Sequence, residues 1–152
     1  MEEFKSLEDI LNFAINEEIK ASKLYAGLAQ RSQNKEMAQI FNQFSREELG
    51  HKKKLENIKE GDKIVIEEKK VQDLKIGDYL VEVDKSRDDL NYQEALIVAM
   101  KEEKAAFKLY TDLAGKVDDA ETKNVFLMLA QEEAKHKLRF EVEYDEYILK
   151  EN

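Results

Sequence analysis

Apolar side chains recur every three or four residues along four stretches of this chain, and the stretches form two matched pairs. From about Leu7 to Arg31 the stripe runs Leu11, Ala14, Ile15, Glu18, Ala21, Ser22, Tyr25, Leu28; from about Lys35 to Lys59 it runs Met37, Ile40, Phe41, Phe44, Glu48, His51, Leu55, Ile58. From about Tyr92 to Lys116 it runs Leu96, Ala99, Met100, Glu103, Ala106, Phe107, Tyr110, Leu113, and from about Asp119 to Leu149 through Phe126, Leu129, Glu133, His136, Phe140, Tyr144 and Ile148. A period of 3.6 is that of an amphipathic helix, and the absence of proline leaves each helix unbroken. Ser6 with Asp9, and Asn91 with Glu94, have capping-box-like spacing at the starts of the first and third helices.

The second pair of stretches repeats the first at an offset of 85 residues. AINEEIKASKLYAGLA from Ala14 is echoed by AMKEEKAAFKLYTDLA from Ala99, and FNQFSREELGHKKKLE from Phe41 by FLMLAQEEAKHKLRFE from Phe126. Two copies are too few for a solenoid and predict a pseudo-symmetric pair of helical hairpins, spanning residues 6–60 and 91–150 of one domain, 1–152. Short polar turns at Ser32 to Asn34 and Val117 to Asp119 close the hairpins. Residues 61–90 join them. There KIVIEE and YLVEV have β-type composition and Gly77-Asp78 marks a turn. About thirty extended residues can cross the full length of a bundle, which makes the second and third helices parallel; the same length also permits a domain-swapped dimer.

At 152 residues and 42% apolar content, one core is affordable and a second domain is cramped. No apolar run reaches the roughly 18 residues of a membrane span, and MEEFKSLEDI has neither the basic nor the apolar part of a leader, so we expect a soluble, cytoplasmic protein with no membrane partner. The net charge of −9 argues against nucleic acid, whose phosphates need a clustered basic surface. With no cysteine, the chain holds no disulfide, thiolate zinc site or iron–sulfur cluster.

Both histidines, His51 and His136, follow a glutamate by three residues, so Glu48 with His51 and Glu133 with His136 each project from one helix face. Glu18 and Glu103 stand mid-stripe, where the period calls for an apolar residue. Four carboxylates inside a bundle repel one another unless they take up protons or cations. Two divalent ions balance four glutamates, and neutral imidazoles complete the coordination. Hard oxygens with imidazole suit iron or manganese, although zinc or copper can also occupy such a site. The adjoining Glu17, Glu47, Glu102 and Glu132 lie about 100° around the helix and are expected to face solvent or form surface ion pairs. Tyr25 and Tyr110, two turns beyond Glu18 and Glu103, are near enough to hydrogen-bond the site's carboxylates.

This pattern resembles the ferritin-like di-iron carboxylate superfamily and, within it, the rubrerythrin family: a glutamate from each of two helices and Glu-x-x-His from each of the other two. The resemblance covers both hairpins and implies an all-α, ferritin-like four-helix bundle with a long crossover. It implies Glu18, Glu48, His51, Glu103, Glu133 and His136 as ligands of two iron ions, with Glu48 and Glu133 bridging. It also implies an oxidoreductase that reduces hydrogen peroxide or dioxygen, the alternatives being an iron-binding or storage ferroxidase and a structural metalloprotein. Two departures stand out. Rubrerythrins carry a further glutamate one turn after the third-helix ligand, where this chain has Ala106, so the carboxylate exchange that side chain performs has nothing to carry it. They also carry a rubredoxin module, and this sequence has none, which implies an external electron donor such as a rubredoxin-type protein. A homodimer, domain-swapped or not, is expected.

Overall fold

A computed structural model describes residues 4–61, 68–84 and 86–151. Four long helices carry the fold: α1 (Leu7–Arg31), α2 (Lys35–Gly61), α4 (Tyr92–Ala114) and α5 (Ala120–Glu151), with a short α3 (Glu68–Gln72) in the connection. Each long helix starts on a polar side chain that satisfies its free N–H groups. Ser6 accepts from the Asp9 amide at α1, and Asn34 from the amides of Glu36 and Met37 at α2. Asn91 and Glu94 cap α4 reciprocally, and Asp119 accepts from the Thr122 amide at α5.

Tight connections make α1 antiparallel to α2 and α4 antiparallel to α5, and the two hairpins close into a four-helix bundle. Bonds between the hairpins give their relative direction. Tyr25 of α1 reaches Glu103 of α4 while Tyr110 of α4 reaches Glu18 of α1, so these helices run oppositely. Likewise His51 meets Glu133 and His136 meets Glu48 across α2 and α5. It follows that α2 and α4 are parallel, the arrangement a long crossover requires. Both hairpins of the one chain pack together into the bundle.

The crossover travels along the α1–α4 side. Its Tyr79 hydroxyl donates to Asp112 at 2.7 Å, Arg87 pairs with Glu102, and the Leu90 carbonyl accepts from Arg31. The β-type reading of YLVEV is not met: Tyr79 closes a 3-10 turn over Ile76–Asp78, and the residues after it form no strand among the described residues. With α1 and α4 already paired into a helical layer, this segment has no neighbouring strand to share a hydrogen-bond ladder. Gly77-Asp78 does lie in that turn, whereas most of KIVIEE lies outside the described residues.

Two apolar clusters fill the bundle. One gathers Leu11, Leu55, Leu113 and Phe126 with Val71 and Tyr79 of the crossover; the other gathers Leu28, Phe41, Leu96 and Phe140 with Leu90. The apolar residues of the predicted stripes line these clusters, apart from half-buried Ile148 and from Phe107. Phe107 was expected inward and is 41% exposed. Its counterpart in the repeat is Ser22, whose hydroxyl lies 2.9 Å from that of Ser45 across the α1–α2 seam; a seam that close has no room for a phenyl ring, so in the second hairpin the ring turns out to solvent. Among the described residues no helix is long and apolar enough to cross a membrane.

Candidate metal centre

Between the two apolar clusters, each helix presents a carboxylate at the same level, and α2 and α5 add a histidine. Glu18, Glu48, His51, Glu103, Glu133 and His136 are all at least 97% buried. His51 Nδ1 lies 2.9 Å from Glu133 Oε1, 3.4 Å from Glu18 Oε2 and 3.6 Å from Glu48 Oε1. His136 Nδ1 lies 2.9 Å from Glu48 Oε1, 3.7 Å from Glu103 Oε1 and 3.9 Å from Glu133 Oε1. The side chains thus form two groups able to hold a cation, Glu18, Glu48, His51 and Glu133, and Glu48, Glu103, Glu133 and His136. Glu48 and Glu133 belong to both. The six sequence-predicted residues are therefore brought together from four helices, in two adjoining groups that could each hold a cation.

Whether a pair of cations suits this cage is decided by its unpartnered atoms. Buried polar atoms in folded proteins are almost always hydrogen-bonded. Here both oxygens of Glu48, Oε2 of Glu18 and Glu103, Oε1 of Glu133 and Nδ1 of both histidines have no hydrogen-bond partner. Leaving so many acceptors dry would cost about 1–3 kcal/mol each. All seven belong to the residues of the two groups, and coordination to a pair of cations would satisfy them together.

The same crowding moves the protonation equilibria. Burial, then the neighbouring carboxylates, raises Glu48 well above the usual carboxylate range and Glu133 to about 8. Burial likewise raises Glu103, opposed by the Tyr25 hydrogen bond. Burial disfavours the imidazolium in both rings: in His51 the contacts with Glu133 and Glu18 outweigh it and hold the ring up to about 11, whereas His136 is lowered. Without cations, then, protons neutralise the cage. A divalent ion competes with those protons, since ligands bind metal only when deprotonated.

Two tyrosines complete the interior. Each hydroxyl donates across the bundle to the carboxylate of the other hairpin, Tyr25 to Glu103 and Tyr110 to Glu18, so the expected contact with the carboxylates is present and crossed. Burial and nearby carboxylates raise both phenols well above 10, keeping them protonated donors at neutral pH.

Glu47 and Glu132 depart from the solvent-facing reading. Glu132 on α5 pairs with His51 Nε2, and Glu47 on α2 lies 3.3 Å from His136 Nε2. In a neutral ring, the form that binds metal, a carboxylate on Nε2 draws the proton there and leaves the Nδ1 lone pair for the cage. The one-residue step turns them out of the core as anticipated, but onto the α2–α5 seam. Their repetition at the offset of 85 was the available signal; the seam was not visible before the packing. Glu102 also departs: it is 8% exposed and paired with Arg87 of the crossover, while Glu17 is partly exposed beside Lys20 at 3.3 Å. Between α1 and α4 a cavity of about 20 Å³ opens beside the carboxylates, walled by Ala21 and Ala106 and covered by Tyr79 and Val81.

Comparison with known proteins gives concordant results. A family model described as Rubrerythrin matches residues 9–144. Among solved structures, a Thermotoga maritima protein described as ferritin-like and diiron-carboxylate aligns with a TM-score of 0.76 at 19% identity, over 97% of this chain and 99% of that one, which establishes the shared fold. A hypothetical protein from Pyrococcus furiosus aligns with a TM-score of 0.69 at 27% identity, over 92% and 89%. No curated protein matches the chain.

Proposed function

The chain belongs to the rubrerythrin family, and we propose that it is a di-iron oxidoreductase that reduces hydrogen peroxide or dioxygen with electrons from a separate donor protein. The observation carrying this reading is the set of seven unpartnered ligand atoms directed at two adjacent positions within one buried cage. In it, Glu18 and His51 would hold one ion and Glu103 and His136 the other, with Glu48 and Glu133, common to both groups, within reach of either. Iron, when bound, supplies Lewis acidity and the two electrons that take one hydrogen peroxide and two protons to two waters; the donor protein returns the electrons.

The remaining roles belong to this chain's side chains. Tyr25 and Tyr110 orient Glu103 and Glu18, and Glu132 and Glu47 hold the imidazoles with Nδ1 deprotonated. The flanking apolar clusters keep bulk water out. A water molecule needs about 10–15 Å³, so the cavity under Tyr79 and Val81 suits an oxidant of two heavy atoms and no organic substrate. The absence of a carboxylate at Ala106 leaves that space open.

The test is peroxide consumption by anaerobically iron-loaded protein with a chemical reductant, paired with metal analysis. Two irons per chain and turnover abolished in Glu48→Ala are expected. Full iron occupancy without turnover would leave an iron-binding or storage protein; failure to bind two metals would remove both readings.

A further inference from the structure

The internal duplication provides a reference for its own surface, because positions 85 apart share a place on the bundle. The outer face of α5 carries Leu127 at 40% exposure, Leu138 at 63%, Val142 at 38% and Leu149 at 76%. Their counterparts on α2 for the first three are Asn42, Lys53 and Asn57. Phe107 of α4 adds to the exposed apolar surface, whereas its counterpart Ser22 on α1 is buried. Equivalent positions that face solvent in one hairpin are polar, and in the other they are apolar. Buried positions such as Phe41 and Phe126, or His51 and His136, are by contrast matched between the hairpins.

The apolar positions form a line. Leu127, Leu138 and Leu149 are spaced by eleven, which returns to within about 20° on a helix of 100° per residue, and Val142 and Ala134 flank them. The line is roughly 33 Å long. Leu138 lies at its midpoint, eleven residues from either end. Charges beside it are segregated, with Lys123 and Lys135 toward the start and Glu141, Asp145 and Glu146 toward the end.

We propose that this face, α5 with Phe107 of α4, is where a second copy of this chain docks, with α5 against α5 in antiparallel orientation. A two-fold axis at Leu138 brings that residue onto its own image and each terminal leucine onto the other, Leu127 opposite the partner's Leu149. It also opposes the basic half of one helix to the acidic half of the other; a parallel arrangement would oppose like charges. A stable interface takes about 800 Å² per partner, more than one helix edge offers, and the α4 edge with Phe107 supplies the added width. The proposal stands apart from the metal reading.

Since the chain has no cysteine, single introduced thiols report the geometry directly. Light scattering should give twice the 17.8 kDa of the chain, and Leu138→Glu should bring it to the monomer mass, with helicity and metal content kept and Lys53→Glu as the unaffected control. On mild oxidation Leu138→Cys should cross-link with itself, Leu127→Cys and Leu149→Cys should not, and an equimolar mixture of the last two should give a mixed dimer. Monomeric wild type at about 100 µM overturns the proposal and leaves the face to another partner such as the electron donor. So does a Leu138→Glu dimer; self-linking of Leu127→Cys overturns the antiparallel arrangement.

Discussion

Stripping the metal should make this protein lose stability as the pH rises, against the usual behaviour of buried, ion-paired carboxylates. The sign follows from Glu133. Its carboxyl is raised from 4.5 to about 8 by burial and by Glu103 and Glu18, so the folded state holds a proton that the unfolded state releases. That contribution is fully present below about pH 4.5 and is lost as the pH climbs through about 8. Integrating the linkage between pH 5 and 8 gives a loss of roughly 3–4 kcal/mol from this one group. For a chain of this size that is a fall of about 7–14 °C in melting temperature. Glu48 and Glu103, raised in the same direction, and His51, held up to about 11, add to the trend. Bound cations replace the protons, and each site at a hundredfold excess over Kd adds about 2.7 kcal/mol. Melting followed by circular dichroism at pH 5, 6.5 and 8, with chelator or with manganous ion, measures both effects. The gap between the two curves should widen with pH. A chelated protein whose melting temperature is flat or rises over this range would refute the reasoning, because the carboxylates would then not be sharing a dry cage.

Other substitutions probe the supports of the site. Glu132→Ala removes the carboxylate on His51 Nε2 and should weaken metal binding about 10–100-fold in a competition titration, with little change in the chelated protein's melting temperature. Tyr25→Phe deletes the hydroxyl on Glu103 and should cost about 1–3 kcal/mol in denaturant unfolding; an unchanged midpoint would mean the bond contributes nothing. Ala106→Leu fills the cavity beside the carboxylates and should suppress peroxide turnover while metal content stays at the wild-type level. Unaltered turnover would show that the oxidant reaches the centre elsewhere.

The bundle was readable because its signals are local. A 3.6-residue stripe interrupted by Glu18 and Glu103, and two Glu-x-x-His units in register, need only helical geometry to interpret. What eluded that reading depends on which flanks of different helices meet. Glu47 and Glu132 leave the core by a one-residue step, but the antiparallel pairing of α2 and α5 makes that flank a seam. Glu102 is buried because the crossover lays Arg87 on it, and a crossover's path is not periodic. Phe107 fitted the stripe, but it holds the place in the repeat that Ser22 fills at the close α1–α2 seam, and its larger ring is exposed. YLVEV has strand-like residues but no strand beside it.

The crossed tyrosine bonds bear on how the centre can fail. Each hairpin steadies the other's glutamate, Tyr25 for Glu103 and Tyr110 for Glu18, and Glu48 and Glu133 are likewise common property. Prising the hairpins apart therefore strips both ion positions of oxygen donors in the same motion. No half-assembled state retains one intact position, so loading and loss of the two ions should be mutually dependent events, and a stretch of chain holding only one hairpin would have nothing to offer a single ion beyond three loosely held donors.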